Sequence, residues 1–356
     1  GRLGESYVDT LQVTIENQIL EIEVSPSYEE KVTLANDNVD EWLEDYAYGS
    51  SETYQGLGDI YYPKPVILSW SSEETYSSYK IKISRDSKFS ESIVLETDEN
   101  EISVDDLFCD TQYFWKIYAF DENGKLVGNS ETLSFSTLAY PRTITLDGVS
   151  NSRDIGGKLT IEGKEVKQGM VYRTANLDYI TEEGIKKAKE VYKIKTDLDL
   201  RTQGEGLYRS MSPLGRDINY INVTGCYWTG GDNGLDVLTN FGRVREELKV
   251  FAIPANYPIC FHCAIGQDRT GSLALVLEAL LGVEEKDLYI DYELSSFSSA
   301  VWDPNNKIWV ENKLKYQFTP LLDYIKSYGT NEDTLMYKAE LYCEAVGLDY
   351  DEIDAI

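Results

Sequence analysis

Eight consecutive residues, His262-Cys263-Ala264-Ile265-Gly266-Gln267-Asp268-Arg269, bring together the types needed for nucleophilic attack on a phosphate ester. His262 is the only histidine among 356 residues, and it directly precedes a cysteine that an arginine follows six places on. A thiolate is a strong nucleophile, and a guanidinium grips two oxygens of one phosphate in a planar fork, as lysine does not. Gly266 lets the backbone turn so that its amides face inward.

Such a loop needs rigid neighbours. Pro258-Ile259-Cys260-Phe261 reads as a short apolar strand running into it. Past Gly271, residues Leu273, Val276, Leu277, Leu280 and Leu281 recur at helical spacing and fall on one face. A helix therefore starts where the loop ends. Its unpaired N–H groups and positive dipole end suit a phosphate dianion, and the same field lowers the pKa of Cys263.

His262-Cys263, five residues, then Arg269-Thr270 resembles the signature loop of protein tyrosine phosphatases and dual-specificity phosphatases. The plainer alternative is a buried structural cysteine beside a histidine. The resemblance implies that Cys263 attacks phosphorus to give a phosphocysteine, which water then hydrolyses. It also implies that Thr270 hydrogen-bonds the sulfur, that His262 braces the loop from behind, and that Ala264, Ile265, Gly266 and Gln267 line the phosphate. Further motifs are similar to one bacterial branch of that family: Asn151-Ser152-Arg153-Asp154-Ile155-Gly156-Gly157, Val171-Tyr172-Arg173-Thr174-Ala175-Asn176-Leu177, and Asp199-Leu200-Arg201 with Glu205. Arg153, Arg173, Asp199 and Arg201 thereby become substrate-binding candidates; the ordinary alternative for each arginine is a surface salt bridge.

The leaving group needs a proton, hence a carboxylic acid opposite the thiolate. In the resembled branch that acid is often the aspartate before the signature arginine, here Asp268. Asp232, about 30 residues before the cysteine, is the alternative, with Asp199 and Asp236 as further candidates. Branch members that hydrolyse phosphoinositides tend to carry lysine where this chain has Gln267, so the reading favours phosphotyrosine over inositol phosphates and phosphoinositides. A phosphatase fold without activity, serving as a binding protein, is the remaining alternative.

Composition narrows the field. A net charge of −29 argues against nucleic-acid or anionic-membrane partners. Ten basic and 28 acidic residues stand up to Arg142, so the acidity is concentrated N-terminally. One histidine and five scattered cysteines (Cys109, Cys226, Cys260, Cys263 and Cys343) leave no zinc ribbon, serine triad or disulfide framework; no metal and no cofactor is expected. No apolar run is long enough for a membrane span.

Residues 63–137 alternate in period two between turn residues, which predicts antiparallel strands. With Trp70 on an early strand and Leu107 six places before Tyr113, the stretch resembles a fibronectin type III domain. After 140 the grammar changes: a helix capped by Thr181, then a strand over 193–200, predict an α/β layer structure whose ligands gather at strand carboxyl ends. The expected architecture is an all-β sandwich, fibronectin type III-like, over residues 59–140, and an α/β cysteine-phosphatase domain with a mostly parallel central sheet flanked by helices over 141–356. Residues 1–58 are expected to form strands of unassigned role. The expected partners are a phosphorylated protein or small phosphate ester, with the sandwich offering a protein or surface contact; an extracellular or cell-envelope bacterial location follows by analogy, a cytoplasmic one otherwise.

Overall fold

The alternation in residues 63–137 turns every second side chain inward: along Gln112–Phe120, Tyr113, Trp115, Ile117 and Ala119 are buried. The computed structural model describes residues 18–54, 62–139, 141–202, 204–207, 210–223, 235–303, 308–309 and 317–356. The chain divides into two units. The first takes residues up to Val32, Val66–Val104 and Thr111–Ser136, and its described residues form strands in two sheets. Ile22–Ser25, Val66–Ser72 and Glu101–Val104 make one; Ser78–Ser84, Ile93–Thr97 and Gln112–Phe120 lie in the other. Trp70 of the first sheet meets Tyr79 of the second edge to face at 4.9 Å.

The second unit comprises Thr33–Pro65, Asp105–Asp110 and Thr137–Ile356. The expected boundaries near 58 and 140 are thus corrected: residues 33–65 join the unit that carries Cys263. Helix Asp37–Glu44 explains why. It buries Val39 and Trp42 completely, and Trp42 packs on Phe297 with ring centroids 5.0 Å apart. Beyond it, Tyr46 Oη and the Gly49 and Ser51 amides donate to the Glu293 carboxylate at 2.9, 3.0 and 3.3 Å. The short segment 105–110 is pinned likewise, by Arg142 donating to the carbonyls of Leu107 and Asp106. Replacing Trp42 by Ala removes a large, fully buried ring and is expected to destabilise the chain by about 3–5 kcal/mol, measured by urea unfolding.

A five-stranded sheet carries the site, in the order Arg153–Asp154, Val171–Thr174, Ile259–His262, Thr196–Asp199, Asn219–Asn222. The inner three strands are buried at every residue, as strands covered on both faces must be. Thr181 caps helix Glu182–Glu190 through Gly184 N–H. Three of the four strand pairings in this sheet are parallel. Arg153–Asp154 returns antiparallel on Val171–Thr174 after a short connection, and across the described sheets antiparallel pairs outnumber parallel ones. The apolar stripe past Gly271 is corrected as well: in helix Asp268–Leu280 residues Thr270 to Ala279 are all buried, so the helix is enclosed by the unit.

Candidate active site

Cys263 follows the last residue of strand Ile259–His262, and helix Asp268–Leu280 starts five residues later. Gly266 sits at φ +73°, and a Cβ there would stand 2.5 Å from the Thr174 carbonyl oxygen, so only glycine fits the turn. The Cys263 thiol is buried, which opposes ionisation. The Arg269 charge and the Thr270 hydroxyl and backbone N–H outweigh that burial, and its pKa falls below the ordinary thiol value. Thr270 Oγ1 has no other hydrogen-bond partner among the described residues, which leaves its proton to the sulfur.

Arg269 is held from outside the loop. Its Nη1 and Nη2 donate to Glu205 Oε1 and Oε2 at 3.1 and 2.7 Å, and Nη1 also reaches the Leu200 carbonyl at 3.3 Å. This two-point pairing fixes the guanidinium plane. Burial pulls the Glu205 carboxyl up, but Arg269 and Thr202 hold it below its usual value, so it stays a carboxylate. Sequence reasoning gave Glu205 no role, although its place after Asp199-Leu200-Arg201 was a signal.

His262 is turned toward two aspartates. Its Nε2 pairs with Asp197 Oδ1 at 3.1 Å, and Asp199 Oδ1 lies 3.8 Å from Nδ1. Burial disfavours its charge, yet the two aspartates raise its pKa, leaving an imidazole braced under the loop. This explains two aspartates on a buried strand. Asp199 also accepts the Arg201 amide and guanidinium, and Arg201 reaches on to Asp178 at 2.8 Å. Burial alone would raise Asp199; His262 and Arg201 keep it below the ordinary aspartate value. An anion so engaged is not a proton donor, so Asp199 is removed from the acid candidates. Asp199 and Arg201 hold each other.

Arg153 and Arg173 are 0% exposed, so neither is the surface salt bridge of the ordinary alternative. Both pair with Asp291, Arg153 Nε at 2.9 Å and Arg173 through Nη1. Lys158 joins from the far side, bonding Glu278 at 3.0 Å and lying 3.4 Å from Asp291. Desolvation would raise Asp291, but three cations drive it well below the carboxylate range. Burial, helped by Asp291, pushes Glu278 up to about 7.

From behind the loop, Asn176 Nδ2 donates to the Ala264 carbonyl at 2.7 Å, Asn151 Nδ2 to Ile265 at 2.8 Å, and Arg173 Nη2 to Gly266 at 2.8 Å. Ala264 and Ile265 are half-buried, as residues lining a recessed site would be. Gln267 is only 2% exposed, and its Oε1 has no hydrogen-bond partner among the described residues. Asp268 begins the helix, half-buried, with Tyr292 Oη 3.4 Å from its Oδ1. Asp236 opens the short helix Asp236–Thr239, whose Val237 and Leu238 border a cavity of about 10 Å³ beside Arg269. Asp232 lies outside the described residues. Among the described residues, no group of three or more His, Cys, Asp or Glu is arranged to hold a metal ion.

Comparison with known proteins places this arrangement. A Cupriavidus necator protein named as a tyrosine-protein phosphatase is 26% identical over 185 residues, 44% of this chain and 64% of its own length. The solved core catalytic domain of the PP-IP phosphatase SIW14 from S. cerevisiae matches 42% of this chain and 83% of its own, with 18% identity and a TM-score of 0.27. PTPMT1, solved in complex with PI(5)P, matches 44% and 94%, with 10% identity and a TM-score of 0.25. The model of the tyrosine phosphatase family matches residues 144–356, well over half of the sequence, and the chain belongs to that family.

Proposed function

We propose that this chain hydrolyses phosphate monoesters, phosphotyrosine in preference, through a phosphocysteine on Cys263. One observation carries the reading: Cys263 stands between the end of a strand and the start of a helix, on a loop turned at Gly266, with the Arg269 guanidinium held in its plane by Glu205. The thiolate attacks phosphorus; the P–O bond to the aryl group breaks, and the phenolate leaves with a proton from the Asp268 carboxyl. Water then attacks the phosphocysteine and gives its proton to the Asp268 carboxylate. The P–S bond breaks, releasing phosphate and restoring the thiolate.

The substrate preference rests on charge. Arg153, Arg173 and Arg201 are turned to buried carboxylates, so these three offer nothing to a second phosphate. A monophosphate gripped by Arg269 suits that arrangement better than a polyphosphorylated inositol. A panel of phosphotyrosine peptides, phosphoserine peptides, phosphoinositides and inositol phosphates tests this; faster turnover of inositol phosphates overturns the preference. Asp268→Asn is expected to lower kcat by about 10²-fold. An unchanged kcat moves the role to another acid, Asp232 first.

The all-β unit is read as a fibronectin type III-like sandwich, supported by buried Trp70 on an early strand and its contact with Tyr79. Such a module suits a spacer or a contact with a protein or surface, and with it a bacterial envelope or extracellular setting. Among the described residues, no helix is long and apolar enough to cross a membrane.

A further inference from the structure

Three consecutive carbonyls of the loop, those of Ala264, Ile265 and Gly266, each receive a side-chain donor: Asn176, Asn151 and Arg173. In a trans peptide the C=O and the following N–H point to opposite sides of one rigid plane. Tying down these three carbonyls therefore aims the N–H groups of Ile265, Gly266 and Gln267 the other way. We propose that Asn176, Asn151 and Arg173 are positioning residues that latch the three peptide planes, so that an oxyanion meets preset amide donors, with Asp291 as the common anchor of two latches.

Each latch is itself oriented. The Asp178 amide donates to Asn176 Oδ1 at 3.1 Å, which leaves the Nδ2 end for Ala264. Arg153 Nη1 donates to Asn151 Oδ1 at 2.7 Å and so turns Nδ2 toward Ile265. Arg153 and Arg173 are both held by Asp291, which therefore reaches Ile265 through two residues and Gly266 through one. Asn151 is fully buried at φ +53°, a backbone setting that Asn tolerates and most residues do not. A free loop would have to choose its peptide orientations when the anion arrives; a latched one has them already.

The inference rests on the oxyanion-handling reading above, and its test is independent of turnover. Asn176→Asp keeps the oxygen that accepts from Asp178 and loses the side-chain donor to Ala264, while the Asn176 backbone N–H stays on that carbonyl at 3.1 Å. Asn151→Asp makes the same change at the neighbouring latch. Tungstate binding by calorimetry is expected to weaken roughly 30-fold in either variant, the loss of a hydrogen bond that orients donors to a charged ligand. The unfolding temperature, read alongside, is expected to move by only a few degrees. Asn176→Ala loses donor and acceptor together without adding a charge, and is expected to weaken tungstate binding as well, which separates the lost latch from repulsion by a new carboxylate. Wild-type tungstate affinity in both aspartate variants overturns the proposal. Intact tungstate binding without phosphatase turnover in the wild-type chain overturns the proposed activity and leaves the latches standing.

Discussion

Cys263→Ser is expected to abolish turnover of para-nitrophenyl phosphate, with kcat falling by roughly 10⁵–10⁶-fold, the scale seen when a covalent nucleophile is lost. The reason lies in the loop's electrostatics. Arg269, the Thr270 hydroxyl and the Thr270 amide lower a thiol far enough to ionise inside the protein, but a serine hydroxyl starts many units higher and stays protonated under the same field. Because the loop backbone and Arg269 are untouched, the variant is expected to retain tungstate binding. Hydrolysis at the wild-type rate by Cys263→Ser, with chelator present, would end the phosphocysteine reading.

Arg269→Lys should be nearly as damaging, with kcat/KM lower by about 10³-fold, although the charge is conserved. Glu205 takes both terminal nitrogens of the guanidinium and so sets the plane in which the fork meets phosphate; an ammonium has no plane to set. The thiol separates charge from shape. The Arg269 charge is the first influence opposing burial at Cys263, so iodoacetate alkylation should keep a nearly wild-type pH profile in Arg269→Lys. In Arg269→Ala the profile should shift upward. Equal shifts in the two variants would show that the cation is not what lowers the thiol.

Local features of the site were legible in the sequence. The strand, the glycine-bearing loop and the helix that follow one another from Ile259 to Leu280 depend on neighbours in the chain, and the spacing of Cys263 and Arg269 is set within one turn of structure. Arg153, Arg173 and Arg201 were visible as motif residues, yet residue type does not reveal which side of a loop a guanidinium faces. Their partner Asp291 lies 138 and 118 residues away from the first two, in a segment with no recognisable chemistry of its own. Residues 37–44 lie in a stretch expected to form strands, yet they form a helix, and nothing local identified Phe297 as the partner of Trp42.

The interleaving of the two units has a consequence for synthesis. Read along the chain, the all-β unit and the catalytic unit alternate, each resuming after the other interrupts it. Tyr46 leaves the ribosome 247 residues before Glu293, the carboxylate it donates to. At about 5–20 residues per second, that partner arrives on the order of ten to fifty seconds later. During that interval Trp42 has no Phe297 to cover it, while the all-β strands between them already have their neighbours. The nascent chain must shelter the Val39 and Trp42 face of this helix until Phe297 is made, and no single cut releases a catalytic unit that contains residues 33–65.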